Sequence, residues 1–129
     1  MTETYNRART VLGFLEVYDH HDHSGKLLQH LHLREFEVPM CGALYLTNFS
    51  EELAECYEPD KEVIVYRNVY ELIEKLKYYL ENESECERVR KAAYNRAIQC
   101  HTYQKRFHDL FSELNLPINP YTAVAGCSA

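Results

Sequence analysis

Blocks of apolar residues separated by short polar breaks divide the chain into strands and the helices that follow them. Val11, Leu12, Phe14, Leu15 and Val17 are nearly continuous in apolar character, which predicts a buried strand over 11–18. Histidines, aspartates, Ser24 and Gly25 interrupt the pattern over 20–25 and predict a loop. From Leu27 to Met40 the spacing is mixed. Leu27, Leu28, Leu31 and Phe36 suit a loop leading into a short helix, with Pro39 limiting its continuation because it lacks a backbone donor. Gly42 frees the backbone next, and Ala43 to Thr47 predicts a second strand.

Ser50 is a natural N-cap for a helix over 51–57, with Glu51 and Glu52 in its first turn. Glu58-Pro59-Asp60-Lys61 reads as a turn, and Val63 to Tyr66 as a third strand. Asn68 with Glu71 three positions on resembles a capping box, and Val69, Leu72, Ile73, Leu76, Tyr79 and Leu80 recur at helical spacing as far as about Asn82. Ser84 with Glu87 signals another start, and Glu87 and Lys91 form a favourable i,i+4 pair. The helical pattern continues or restarts near His101, where Tyr103, Phe107, Leu110, Phe111 and Leu114 share one broad face. Strand and helix alternating three times is the order that gives a parallel sheet with right-handed crossovers. Three strands make a thin sheet, so a partner or a larger fold is expected to complete its core.

Composition narrows the classes. A chain of 129 residues, 46% hydrophobic with four glycines and four prolines, fits one ordinary globular domain, expected over 1–116 with an extended tail over 117–129. Eleven tyrosines, five phenylalanines and no tryptophan imply many half-buried rings whose hydroxyls need partners. A net charge of -6 gives no excess of cations to displace counterions from a phosphate backbone, which argues against nucleic acid as a partner. The cysteines at 41, 56, 86, 100 and 127 are odd in number and lack C-x-x-C spacing, so neither a disulfide framework nor a thiolate zinc site is expected, and a cytoplasmic location is. No secretory signal and no membrane span are predicted.

Several residues invite chemistry. His20, His21, Asp22 and His23, with His30 and His32, are rich enough in ligand types to consider a histidine-based zinc or nickel module, but they follow no established ligand spacing and also suit a polar loop. Cys41 is either a nucleophile awaiting a histidine or a small buried residue before Gly42, and Ser24 lacks the G-x-S-x-G elbow of a hydrolase. Tyr103, Arg106 and His108 suit either a crevice or the support of the last helix. Glu37 falls at the start of or along a helix near the carboxyl end of a strand, where an acidic side chain can accept two hydroxyls of a ribose. Arg34, three residues earlier, could bind Glu37 in a plain salt bridge instead.

The run Arg34-Glu35-Phe36-Glu37-Val38-Pro39-Met40-Cys41-Gly42-Ala43, continuing through Leu44-Tyr45-Leu46-Thr47-Asn48 and Glu51-Glu52-Leu53, resembles the nucleotide-sugar side of glycosyltransferases of the two-Rossmann-domain (GT-B) architecture. Within these group 1 type transferases it is most similar to the set around the spore-maturation proteins CgeB and YkvP. The likeness extends through Tyr57, Val63 to Arg67, Glu71-Leu72, Lys77 to Leu80 and His101-Thr102-Tyr103, so it spans about Thr10 to Leu114. It implies the carboxyl-terminal, donor-binding portion of such an enzyme. The fold would be a truncated Rossmann-like α/β domain, with a three-stranded parallel sheet flanked by helices and a long C-terminal helical segment.

The same resemblance places Glu37 at the donor ribose, five residues before Gly42. It puts Gln29 where relatives carry a further glutamate near the sugar, and Arg34 beside the diphosphate. These four residues are the expected ligand-binding set. No catalytic residue, no metal ligand and no cofactor are assigned. The expected partners are a nucleotide-diphosphate sugar and either a second copy of the chain or a complementary glycosyltransferase half, because the acceptor domain and the glycine-rich first donor loop have no counterpart in the sequence. On this reading the domain is inactive alone, and a non-catalytic self-associating remnant is the alternative.

Overall fold

The computed structural model describes residues 2–18 and 27–117. Its centre is the strand β4 (Tyr45–Asn48), which lies between β1 (Val11–Leu12) and β5 (Ile64–Tyr66) with both pairings parallel. Val11 is in register with Tyr45, and Leu46 with Ile64. Side chains alternate across a strand, so one stretch of sequence feeds two cores. Tyr45, Val63 and Val65 pack with Leu15, Val38, Leu53, Tyr57 and Ala97 on one face. Leu44, Leu46, Ile64 and Tyr66 pack with Tyr79, Cys86 and Val89 on the other. Burial on both faces is what near-continuous apolar strands require, and it confirms the three-stranded parallel sheet flanked by helices.

The covering helices are α1 (Thr2–Arg7), α2 (Arg34–Met40), α3 (Glu51–Cys56), α4 (Val69–Glu81), α5 (Glu83–Cys100) and α6 (Tyr103–Glu113). α5 runs about 27 Å at the usual helical rise, long enough to supply Cys86 and Val89 to one core and Ala97 to the other. Capping follows the side-chain chemistry. Ser50 Oγ accepts from Leu53 N at 3.1 Å, Asn68 Oδ1 from Glu71 N at 3.0 Å, and Thr102 Oγ1 from Lys105 N at 3.2 Å. Glu71 reaches back to Arg67 N at 2.9 Å, one residue beyond the reciprocal bond of a capping box. That backbone bond, followed by the contact with Lys75, holds the Glu71 carboxyl below its ordinary pKa.

Three local expectations are corrected. The strand expected over 11–18 is two strands, because β1 ends at Leu12 and pairs parallel with β4, whereas Glu16–Tyr18 (β2) pairs antiparallel with Leu27–Gln29 (β3). A Cβ at Gly13 would stand 1.8 Å from the Tyr45 hydroxyl, so only glycine lets that ring pass. As expected, Pro39 limits α2, which includes it and ends one residue later at Met40, with Cys41 as its C-cap. α5 begins after Asn82, which closes α4, and Ser84 lies within it. Glu87 pairs with Arg90 at 2.5 Å, not with Lys91, since Arg90 is held near by its bond to the Gly42 carbonyl.

The cysteines divide. Cys41, Cys56 and Cys86 are free thiols, and burial raises the pKa of the latter two. Cys100 is disulfide-bonded, where no disulfide framework was expected. Spacing carries no information about which thiols the fold brings together. The 20–25 loop and nearly all of the 117–129 tail lie outside the described residues. Among the described residues, no helix is long and apolar enough to cross a membrane.

Candidate functional site

α2 positions the candidate residues, and its two sides differ in character. Leu33 precedes it without a side-chain cap, and Gly42 closes it. At its end the Gly42 amide donates to the Pro39 carbonyl at 2.8 Å and the Ala43 amide to the Val38 carbonyl at 3.3 Å, the paired bonds of a Schellman turn. That turn needs a residue at positive φ, and Gly42 sits at φ 69°. Its carbonyl accepts from Arg90 Nε at 2.6 Å, which ties the end of α2 to α5.

The inner side of α2 is anchored by Glu35, only 1% exposed. Its Oε1 accepts from the Tyr45 hydroxyl at 2.7 Å and its Oε2 from the His32 amide at 2.6 Å. Both carboxyl oxygens therefore have a donor, as a buried polar group requires. Burial first, and Glu35 second, push the Tyr45 hydroxyl far above its usual pKa, so it stays a donor at any working pH. The resemblance pointed to the neighbouring residues and passed over Glu35. A signal for it was present in the sequence, since four consecutive positions 34–37 must send some side chain inward on a helix.

The outer side faces a groove of about 990 Å³ that collects residues distant in sequence. Arg34, Phe36, Glu37 and Met40 of α2 line it together with Tyr5 of α1, Cys56 at the end of α3, and His101, Tyr103 and Arg106 around the start of α6. Arg34 and Glu37 are both exposed, and no hydrogen bond or ion pair engages either side chain among the described residues. The plain Arg34–Glu37 salt bridge that their spacing allows is not formed.

The floor of the groove is aromatic. Phe36 lies 5.2 Å from the His101 ring and 6.1 Å from the Tyr57 ring, centroid to centroid, and the Arg106 guanidinium covers Phe36 at 4.3 Å. His101 Nε2–H donates to the Cys56 carbonyl at 2.9 Å. Burial lowers the His101 pKa below its ordinary 6.5, with Arg106 and Arg96 adding to the effect against that hydrogen bond. The ring is thus neutral at pH 7. An unfolded chain takes up the proton first, so His101 favours the fold above about pH 6.5 and loses that contribution as acid carries the pH down through its lowered pKa.

The structure brings together two of the four expected ligand residues. Arg34 and Glu37 share the groove, whereas Gln29 lines a separate cavity of about 350 Å³ with Phe49, Ser50, Glu51 and Glu52. Gly42 lines neither and serves to end α2. Tyr103 and Arg106 also reach the groove, while His108 sits elsewhere on α6, 3.4 Å from Asp109. Phe36 and His101 were not singled out from the sequence, because 65 positions separate them and only the packed fold shows that they meet.

The other chemical candidates gain no geometry. Among the described residues, no three His, Cys, Asp or Glu side chains are grouped to hold a metal ion. His30 and His32 have ring centroids 4.5 Å apart, and the His20–His23 loop and Ser24 lie outside the described residues. Cys41 is half-buried at the C-cap of α2, which agrees with a small residue leading into the Gly42 turn.

No curated protein and no solved structure matches this chain. A family model described as glycosyl transferase-like does match it, over residues 1–112, the span that holds the parallel sheet, α2 and the groove. With most of its length in that match and a Rossmann-like sheet beneath it, the chain belongs to the glycosyl transferase-like family, of GT-B type.

Proposed function

We propose that the domain binds the nucleotide part of a nucleotide-diphosphate sugar in the α2 groove, and that transfer requires a complementary half carrying the acceptor site. The single observation that carries this reading is the presence of Arg34 and Glu37 together on the open side of α2, both without a side-chain partner among the described residues, beside an aromatic floor. The groove is of the size that holds a small organic ligand. Glu37 accepts two ribose hydroxyls, Arg34 and Arg106 attract the diphosphate, and Phe36 and Tyr103 supply apolar surface for the base. Within the family, the run from Arg34 to Ala43 supports placement beside the spore-maturation CgeB and YkvP group.

In a complete transferase the leaving diphosphate gains negative charge, and fixed cations such as Arg34 lower the energy of that state. Catalysis also needs a water-poor crevice and an acceptor held in line. An open groove supplies neither, so the reading is of a donor-binding domain inactive by itself.

Calorimetric titration of the chain with UDP, GDP and ADP tests it. At least one should bind with a dissociation constant of about 0.1 to 1 mM, and Glu37→Gln should weaken that by about 10-fold, the loss of one charge-assisted contact. No heat of binding up to millimolar ligand, from any of the three, removes the donor site.

A further inference from the structure

α6 presents its apolar side to solvent. Tyr103 is 62% exposed, Phe107 52%, Leu110 45% and Leu114 58%, while Lys105 on the opposite side is the better covered. No residue of α6 is buried. Four of the apolar positions follow spacings of four, three and four, the a/d pattern of a coiled coil, and Phe111 at e widens the same exposed face. Tyr103, Phe107 and Phe111 line up along it, with ring centroids 6.3 and 6.1 Å apart.

The flanking charges say what covers this seam. Arg106 and Glu113 lie seven residues apart on the same edge of it, both at the position called g when Tyr103 and Leu110 are d. The cation is near the helix start and the anion near its end. That order opposes the helix dipole, so the pair does not serve the isolated helix. In an antiparallel pair of identical helices, g faces g, and Arg106 of each copy meets Glu113 of the other. A parallel pair sets Arg106 against Phe111 instead. The Arg106 guanidinium lies over Phe36, 4.3 Å from the ring centroid, and donates no hydrogen bond among the described residues.

We infer that α6 is a self-association helix, and that two copies of this chain pair through it, antiparallel about a two-fold axis. Tyr103 of one copy faces Leu114 of the second copy, and Phe107 faces Leu110 of the second copy. The five apolar side chains, Phe111 included, offer about 500 Å² per copy. With the charged flanks this approaches the roughly 800 Å² per partner of a stable interface. The inference does not depend on the donor-binding reading, because it rests on the spacing and exposure of the α6 side chains, of which only Tyr103 and Arg106 also line the groove.

Light scattering on the eluting full-length chain, over a concentration series, tests it. The wild type should have twice the 15.3 kDa of one chain. Leu110→Asp should be monomeric with an unchanged circular dichroism spectrum. Arg106→Glu alone and Glu113→Lys alone each place like charges together twice, and each should weaken the dimer by about 10-fold or more. An equimolar mixture of those two variants restores both attractive pairs, and it should dimerise as tightly as the wild type. The inference is overturned by a wild type that stays monomeric, including one whose own residues 118–129 prove to cover the seam. A dimer that survives Leu110→Asp overturns it too, and a mixture no tighter than its components overturns the antiparallel arrangement.

Discussion

Glu35 and Glu37 are two residues apart on one helix and have opposite situations. Glu35 points inward, is 1% exposed and has a hydrogen-bond donor on each oxygen. Glu37 is exposed on the groove and has no side-chain partner among the described residues. The same functional group is spent on stability in one place and left free for a ligand in the other. A two-residue step on a helix turns a side chain through more than half a circle, so the sequence Glu-Phe-Glu commits one carboxyl to each side of α2.

Breaking the inner side should produce the largest effect. Glu35→Ala strands the Tyr45 hydroxyl and the His32 amide and leaves a void beneath α2, which should cost about 2–4 kcal/mol in urea unfolding. Tyr45→Phe removes one donor and should cost less. The double variant should cost less than the sum of the two, because each single change strands the other's partner. Strict additivity would mean that the hydrogen bond does not hold α2 to β4.

The end of α2 should be next in size. Gly42→Ala meets no atom within 4 Å, so its only penalty is the positive φ of 69°. That should lower stability by about 1 kcal/mol. Gly42→Asn should recover part of the loss, since asparagine tolerates the left-handed conformation better than alanine. An effect on nucleotide binding with no change in stability would instead assign Gly42 to the ligand.

The order of strands and helices from β4 onward was legible because it rests on local patterns: branched and aromatic runs at 43–47 and 63–66, and Ser50 and Asn68 capping where their side-chain oxygens allow; α1, before them, was not read from the sequence. The break between β1 and β2 was not legible, since the two strands pair with different partners, and the close approach of Gly13 to the Tyr45 ring, 32 positions away, is set by the fold. The β2–β3 hairpin was missed for a similar reason. Each of its strands has three residues, too few to show a period. In the candidate site, Arg34 and Glu37 could be read because their spacing is local. Phe36, His101 and the cavity apart that holds Gln29 could not, because each depends on how α2, α3 and α6 pack.

The smallest expected effect bears on the outer side. Glu37→Gln keeps the shape of the side chain, removes a charge that no described group pairs with, and leaves the buried contacts of α2 intact. Its change in unfolding free energy should fall within about 0.5 kcal/mol of zero, the usual range for a surface position without structural duties. A loss approaching that of Glu35→Ala would show that Glu37 supports the helix, and would end the contrast between the two sides. Unchanged stability together with weakened nucleotide binding is what separates a ligand carboxyl from a structural one, because burial makes the reverse pattern the expected one at Glu35.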